Sequence, residues 1–211
     1  MVHTQTAAAM ALCQEHGFAQ YLALAQVVYG WAVAAQGQAD AGLAQMHEGL
    51  IATQAAGAEL PRPYYLALLA EIYAQHGQPE AGLTALAEGL AMTRGFGEYW
   101  YEAELHRLHG ALLMQVGERQ AALERGTPLA ASGAPPGEEA EASLHRAWSI
   151  ARHQEAKSLE LRAAMSLARL WQQQGKRAEA RELLAPVYGW FTEGFDTADL
   201  QEAEVLLEEL R

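Results

Sequence analysis

One phrase occurs twice in this chain at identical internal spacing, and it restricts the fold more than any other feature. Residues 29–50 read YGWAVAAQGQADAGLAQMHEGL and residues 69–90 read LAEIYAQHGQPEAGLTALAEGL. Aligned on Gly37 and Gly77, they share Gly-Gln, Ala-Gly-Leu and Glu-Gly-Leu. A third copy, LARLWQQQGKRAEARELLAPVY, spans 167–188 and centres on Gly175. A fourth is split into LHRLHGALLMQVG, ending at Gly117, and EEAEASLHRAWSIAR, 138–152. Self-similarity at a fixed period marks a repeat array, in which each unit buries its apolar face against the next.

Each copy reads as a helix, a glycine-centred turn and a second helix. Small residues recur where two helices must approach closely. Seven positions before the turn stand Gly30, Ala70, Gly110 and Ala168. Five positions after it stand Gly42, Gly82 and Ala180, with Ala140 in the matching place of the split copy. Four further on a bulky residue, Met46, Leu86, Leu144 or Leu184, is expected to fill the space between neighbours. Glycine inside a helix costs about 1 kcal/mol relative to alanine. Gly42, Gly49, Gly82 and Gly89 are therefore expected to serve close helix approach, and the turn glycines suit a left-handed C-cap.

Composition agrees. Hydrophobic residues make up 51% of the 211-residue chain, which is enough for a sizeable core. Helix formers dominate, and no stretch alternates like a half-buried strand. The net charge is −12, and residues 1–100 carry only two basic side chains, Arg62 and Arg94. Such a surface repels phosphate backbones and anionic membranes, so neither nucleic acid nor a membrane is an expected partner. No apolar run is long enough to cross a bilayer, and Met1 to Thr6 lacks the regions of a signal peptide. Cys13 stands alone, which fits a reducing cytoplasm.

These residues resemble the tetratricopeptide repeat (TPR) family over nearly the whole chain. The expected fold is all-α: a TPR-like right-handed superhelix of antiparallel helix pairs, an α-solenoid, closed by a C-terminal capping helix. Two features depart from the family. The spacing from Gly37 to Gly77 is 40, against about 34 for an ordinary unit, and the usual proline ending the unit is mostly absent. The stretch 157–210 resembles the end of bacterial proteins that join a class III adenylate/guanylate cyclase domain, a P-loop ATPase domain and a TPR array. The resemblance implies a regulatory array of such a signalling protein, or a relative standing alone. It carries no cyclase or ATPase activity: Gly175-Lys176 is followed by Arg177 and lacks the upstream glycine of a phosphate-binding loop.

The expected layout is one repeat domain over 1–211. An incomplete leading unit at 4–16, expected to continue upstream, precedes pairs at 18–56, 60–94, 97–155 and 157–191. A capping helix at 197–210 follows, with Asp196 or Thr197 as N-cap. An insertion over about 118–137 interrupts the third pair, and its Gly/Pro/Ala-rich part, 126–137, is expected to be mobile.

Candidate chemistry is sparse. His106 and His109 stand three apart on one helix, with His145 and His153 on the helix packed against it, an arrangement to be weighed as a zinc site. No His-Glu-x-x-His or paired cysteines accompany them, and surface histidines are the simpler reading. The carboxylates Glu138, Glu139 and Glu141, and Glu202, Glu204, Glu208 and Glu209, read as solvated helix faces. No nucleophile–base arrangement is evident, and Cys13 reads as core. The chain is thus read as a non-enzyme without cofactor or metal. Trp190, Phe191 and Phe195 are expected to seal the last pair against the capping helix.

In a TPR array the first helix of each pair lines the concave groove. The resemblance places Leu24, Val27, Trp31 and Ala35 there, then Tyr64, Ala67, Glu71 and Gln75. Glu104, Arg107, Ala111 and Met114 follow, then Arg162, Met165, Arg169 and Gln172. The partner-binding candidates are Trp31, Tyr64, Glu71, Arg107, Arg162, Arg169 and Gln172. Arginine forks pair bidentately with carboxylates, so the three arginines point to an acidic protein segment as partner. Against this stands pairing with local acids such as Glu104 and Glu160. The alternative function is a ligand-sensing array, with a closed apolar pocket beside Trp31 and Tyr64 taking a small molecule.

Overall fold

The computed structural model describes residues 2–94, 99–124 and 136–211, and the side chains of 123, 124 and 136 are not among those described. The described residues contain ten helices and no strand. Within each of two compact units, consecutive helices pack on one another, as a helical repeat requires. None is long and apolar enough to cross a membrane. The chain divides into two compact units, 1–97 and 98–211.

Unit 1 holds α1 (Val2–His16), α2 (Ala19–Ala34), α3 (Ala39–Ala55), α4 (Arg62–Gln75) and α5 (Pro79–Thr93). The glycine register explains how α2 and α3 meet. A Cβ on Gly30 would sit 2.7 Å from Gly42 O and Met46 N, and one on Gly42 only 2.5 Å from Gly30 O. Backbone therefore lies against backbone, and Met46, fully buried, fills the gap beside it. Gly49 meets Val27 in the same way, at 2.7 Å. The second pair repeats the pattern with Ala70, Gly82 and Leu86, all buried. At the end of α2, Gly37 has φ +89, and Gln38 N–H donates to Val33 O at 3.3 Å, the bond that closes a left-handed helix cap. Gly17 and Gly57, also 40 apart, take the same conformation between α1 and α2 and between α3 and α4.

Unit 2 holds α6 (Glu102–Glu124), α7 (Pro136–His153), α8 (Lys157–Gln173), α9 (Arg177–Tyr188) and α10 (Ala198–Glu209). Gly110 of α6 accepts Leu144 and Ala140 of α7, with an added Cβ at 2.7 Å from Leu144 Cγ. Ala168 and Ala180 bring α8 and α9 together over Leu184, all three fully buried. Leu200, Ala203, Leu206 and Leu210 of α10 join Leu161, Ala164, Met165 and Val187 in one apolar cluster.

Two expectations are corrected. Gly117 is no turn: α6 continues through it to Glu124, taking up the start of the expected insertion. Residues 125–135, which include most of the Gly/Pro/Ala-rich stretch, lie outside the described residues. Trp190 and Phe195 do not seal the last pair, being 57% and 47% exposed, whereas Phe191 does pack on that cluster. Thr197 takes the N-cap position of α10, one of the two residues expected there, and its hydroxyl donates to Gly194 O at 2.7 Å.

Candidate functional site

The arginines define the most structured polar surface in unit 2. Arg107 of α6 grips Glu104 on the same helix with two parallel bonds, Nε to Oε2 at 2.9 Å and Nη2 to Oε1 at 2.7 Å. Arg162 of α8 reaches the same Oε1 at 2.9 Å. Glu104 is 2% exposed, so two guanidiniums neutralise one buried carboxylate and tie α6 to α8. Arg107 Nη1 also donates to Ser166 Oγ at 3.4 Å. Arg162 Nε stands 4.0 Å from Asp199 of α10.

One and two turns further along α8 the same face continues. Met165 is buried beneath α10. Arg169 pairs with Glu202 at 2.8 Å, and Gln172 donates to Glu209 at 3.3 Å. The row Arg162, Met165, Arg169, Gln172 is thus a single face of α8, and α10 lies on it. Helical spacing explains the match. Positions 162, 165, 169 and 172 form one stripe, while Leu200, Ala203, Leu206 and Leu210 form the facing stripe, flanked by Asp199, Glu202 and Glu209. A shallow cavity of about 560 Å³ opens beside this seam, lined by Arg169, Gln172, Gln173, Gln201, Glu202 and Val205 among others.

In unit 1 the expected groove residues separate. Val27 and Ala67 are buried, at 0% and 1% exposure, and belong to the helix–helix core. Gly49 requires that of Val27, since it draws α3 onto α2 at that point. Trp31, Tyr64 and Glu71 are half-buried. Trp31 lines a cavity of about 320 Å³ with Val2, His3, Thr4, Ala32, Ala35 and Gln36, and Tyr64 is not part of it. The Trp31 indole Nε1 is buried and makes no hydrogen bond among the described residues. Tyr64 packs on Tyr65 at 5.4 Å between ring centroids. Burial pushes the Tyr64 phenol up, and the Glu71 carboxylate adds to the shift.

The histidines do not converge. His109 Nδ1 lies 2.8 Å from Ser143 Oγ, and burial pushes its pKa down against the opposing pull of Glu139. His106 faces Glu102 at 3.8 Å, and His145 lies 4.0 Å from Glu141. Among the described residues no group of three or more His, Cys, Asp or Glu is placed to hold a metal. Cys13 is buried, as expected of a core residue.

Glu141 is a polar hub that the sequence did not single out as structural. It accepts from Trp171 Nε1 at 2.7 Å and from Gln174 Nε2 at 3.1 Å, linking α7 to α8. The Trp171 bond, more than any other contact, holds its carboxyl below the usual range; the Gln174 bond, Lys176 and His145 act in the same direction. The pairing of Trp171 with an acid on the preceding helix is visible only once the two helices are placed. Comparison with known protein families and with curated proteins finds no match to this chain.

Proposed function

We propose that the chain is a non-catalytic protein-interaction scaffold, a TPR-like array that holds an acidic helical segment of a partner. The observation that carries this reading is the pairing of α8 with α10. Arg162, Arg169 and Gln172 meet Asp199, Glu202 and Glu209 around an apolar seam. That face already holds an acidic amphipathic helix, and the chemistry that holds it is open to an acidic partner. The Arg169–Glu202 pair is the exchangeable part, because its side chains are 46% and 58% exposed. Exposed pairs of this kind contribute about 0–1 kcal/mol, little enough for a partner carboxylate to replace Glu202.

The 40-residue repeat and its close-packed glycines support a right-handed superhelix of TPR type, with α10 as its capping helix. The resemblance of 157–210 to the ends of cyclase–ATPase proteins supports a regulatory role in bacterial signalling, in the cytoplasm, where Cys13 stays a thiol. The scaffold reading is preferred to ligand sensing in the groove because the cavity that Trp31 lines does not include Tyr64.

A peptide array of acidic, neutral and basic amphipathic 15-residue helices, probed with labelled full-length chain, tests the reading. Acidic helices are expected to be retained, Arg169→Glu to lose them, and Glu202→Gln to retain more. Equal retention of acidic and basic helices would refute it.

A further inference from the structure

In unit 2, α7, the start of α8 and α9 enclose a cavity of about 390 Å³ lined by Trp148, Arg152, Lys157, Glu160, Glu182 and Trp190 among others. Small-molecule sites span about 300–1,000 Å³. The cavity presents rings and cations together. Trp190 is 57% exposed at the end of α9, an apolar surface that the packing of the unit leaves in water. The Arg152 guanidinium lies over the Trp148 ring, 4.6 Å from its centroid. Lys157 Nζ stands 5.5 Å from the centre of the Trp190 ring.

The placement of charge selects the ligand. Lys157 bonds Glu160 at 2.7 Å, while the carboxylate contact of Arg152 is one 3.6 Å approach of Nε to Glu160 Oε1. The Arg152 side chain is 56% exposed and that of Lys157 33%. Glu160 itself is 4% exposed. A molecule entering the cavity therefore meets the two cations more fully than the acid that anchors them, which lines the cavity with little exposed surface. Glu182, exposed on α9, is the opposing charge at the rim.

We infer that this cavity binds an aromatic carboxylate, its ring against Trp190 and the Arg152 guanidinium, its carboxylate on Lys157 and Arg152. A planar guanidinium stacks on aromatic faces while its N–H groups pair with a carboxylate, so Arg152 serves both parts of such a ligand. The anchoring by Glu160 holds the Lys157 ammonium in place before binding, which lowers the entropy lost on association. The ring and carboxylate belong either to a free small acid or to the C-terminal residue of a peptide. The site stands apart from the α8–α10 face and does not depend on the scaffold reading.

The test is calorimetric titration of the full chain with 2-naphthoate, its neutral amide and 2-(aminomethyl)naphthalene, alongside a tryptophan-terminated peptide as free acid and as amide. 2-Naphthoate or the free-acid peptide is expected to bind at least about tenfold more tightly than its uncharged or cationic counterpart. Tighter binding of the peptide acid assigns the site to a peptide terminus, and tighter binding of 2-naphthoate assigns it to a free acid. Trp190→Ala and Arg152→Gln are expected to weaken the better ligand at least about tenfold. Glu182→Gln, a change at an exposed position expected to leave the melting temperature unaltered, is expected to tighten it about twofold to fivefold by removing the like charge. No binding at millimolar concentration, preference for the aromatic cation, or an affinity unmoved by Arg152→Gln and Glu182→Gln would overturn the assignment.

Discussion

Glu104 shows how a single side chain sets the meaning of its neighbours. Its carboxylate is buried between Arg107 and Arg162, so both arginines are structural before they are anything else. Glu104→Ala leaves two partly buried guanidiniums without their acid and is expected to cost about 3 kcal/mol in urea unfolding. Glu155 presents the opposite case. It holds φ 54 between α7 and α8, where the other described left-handed turn residues are glycines. A non-glycine residue in that conformation is strained by about 1 kcal/mol, so Glu155→Gly is expected to raise stability by roughly that amount. Titration adds a pH dependence. Burial lowers the His109 pKa, so the unfolded chain binds that proton more readily, and stability falls as pH drops below the ordinary value of 6.5. The Glu141 pKa is also lowered, so its contribution is present above the ordinary value of 4.5 and is lost as pH falls through the folded-state value. Thermal melting against pH is expected to show both declines, the first absent in His109→Gln and the second in Glu141→Gln. Helical spacing alone puts Arg162 and Arg169 on one face of α8, with Arg107 on α6. It could not decide whether they pair with Glu104 or wait for a partner, because that choice depends on how α6 lies against α8.

At the scale of the elements, the small-residue register was the most legible signal. Gly30, Gly42, Gly110, Ala140, Ala168 and Ala180 are all buried at helix crossings, because only residues lacking bulk allow backbones to meet. Gly42→Ala places a methyl 2.5 Å from a backbone oxygen and 2.6 Å from Ala34, and is expected to destabilise unit 1 by about 2 kcal/mol or more. The error at Gly117 has a physical origin too. Pattern matching assigned it a turn because it follows Gly110 at the repeat spacing. Glycine inside a helix is affordable at about 1 kcal/mol, and the residues after it, ERQAALE, are strong helix formers. The misplacement of Trp190 and Phe195 is of another kind. Hydrophobicity implies burial only on average, and exposed aromatics at a surface cavity are legible only from coordinates. Leu206, 3% exposed, belongs to the apolar cluster that joins α10 to α8. Leu206→Ala is expected to cost about 2–5 kcal/mol and to speed hydrogen exchange across 198–209 more than across α7.

For the whole molecule, the proposed function is that of a scaffold that holds a partner. Among the described residues, three polar side chains join helices of unit 2: Glu104 joins α6 to α8, Glu141 joins α7 to α8, and Arg169 joins α8 to α10. The surface left over is acidic as a whole, at net −12, which makes the arginine face of α8 an exception in charge. Reversing Arg107 or Arg162 would disturb the buried Glu104, so the informative variant is the exposed Arg169. The most direct measurement is affinity capture from lysate of the source cell, quantified by mass spectrometry, with wild type, Arg169→Glu and Glu202→Gln as bait. The account expects one protein with an acidic helical segment to be retained by wild type, enriched by Glu202→Gln and lost by Arg169→Glu. Retention that is the same for all three baits, or no retained protein at all, would contradict it.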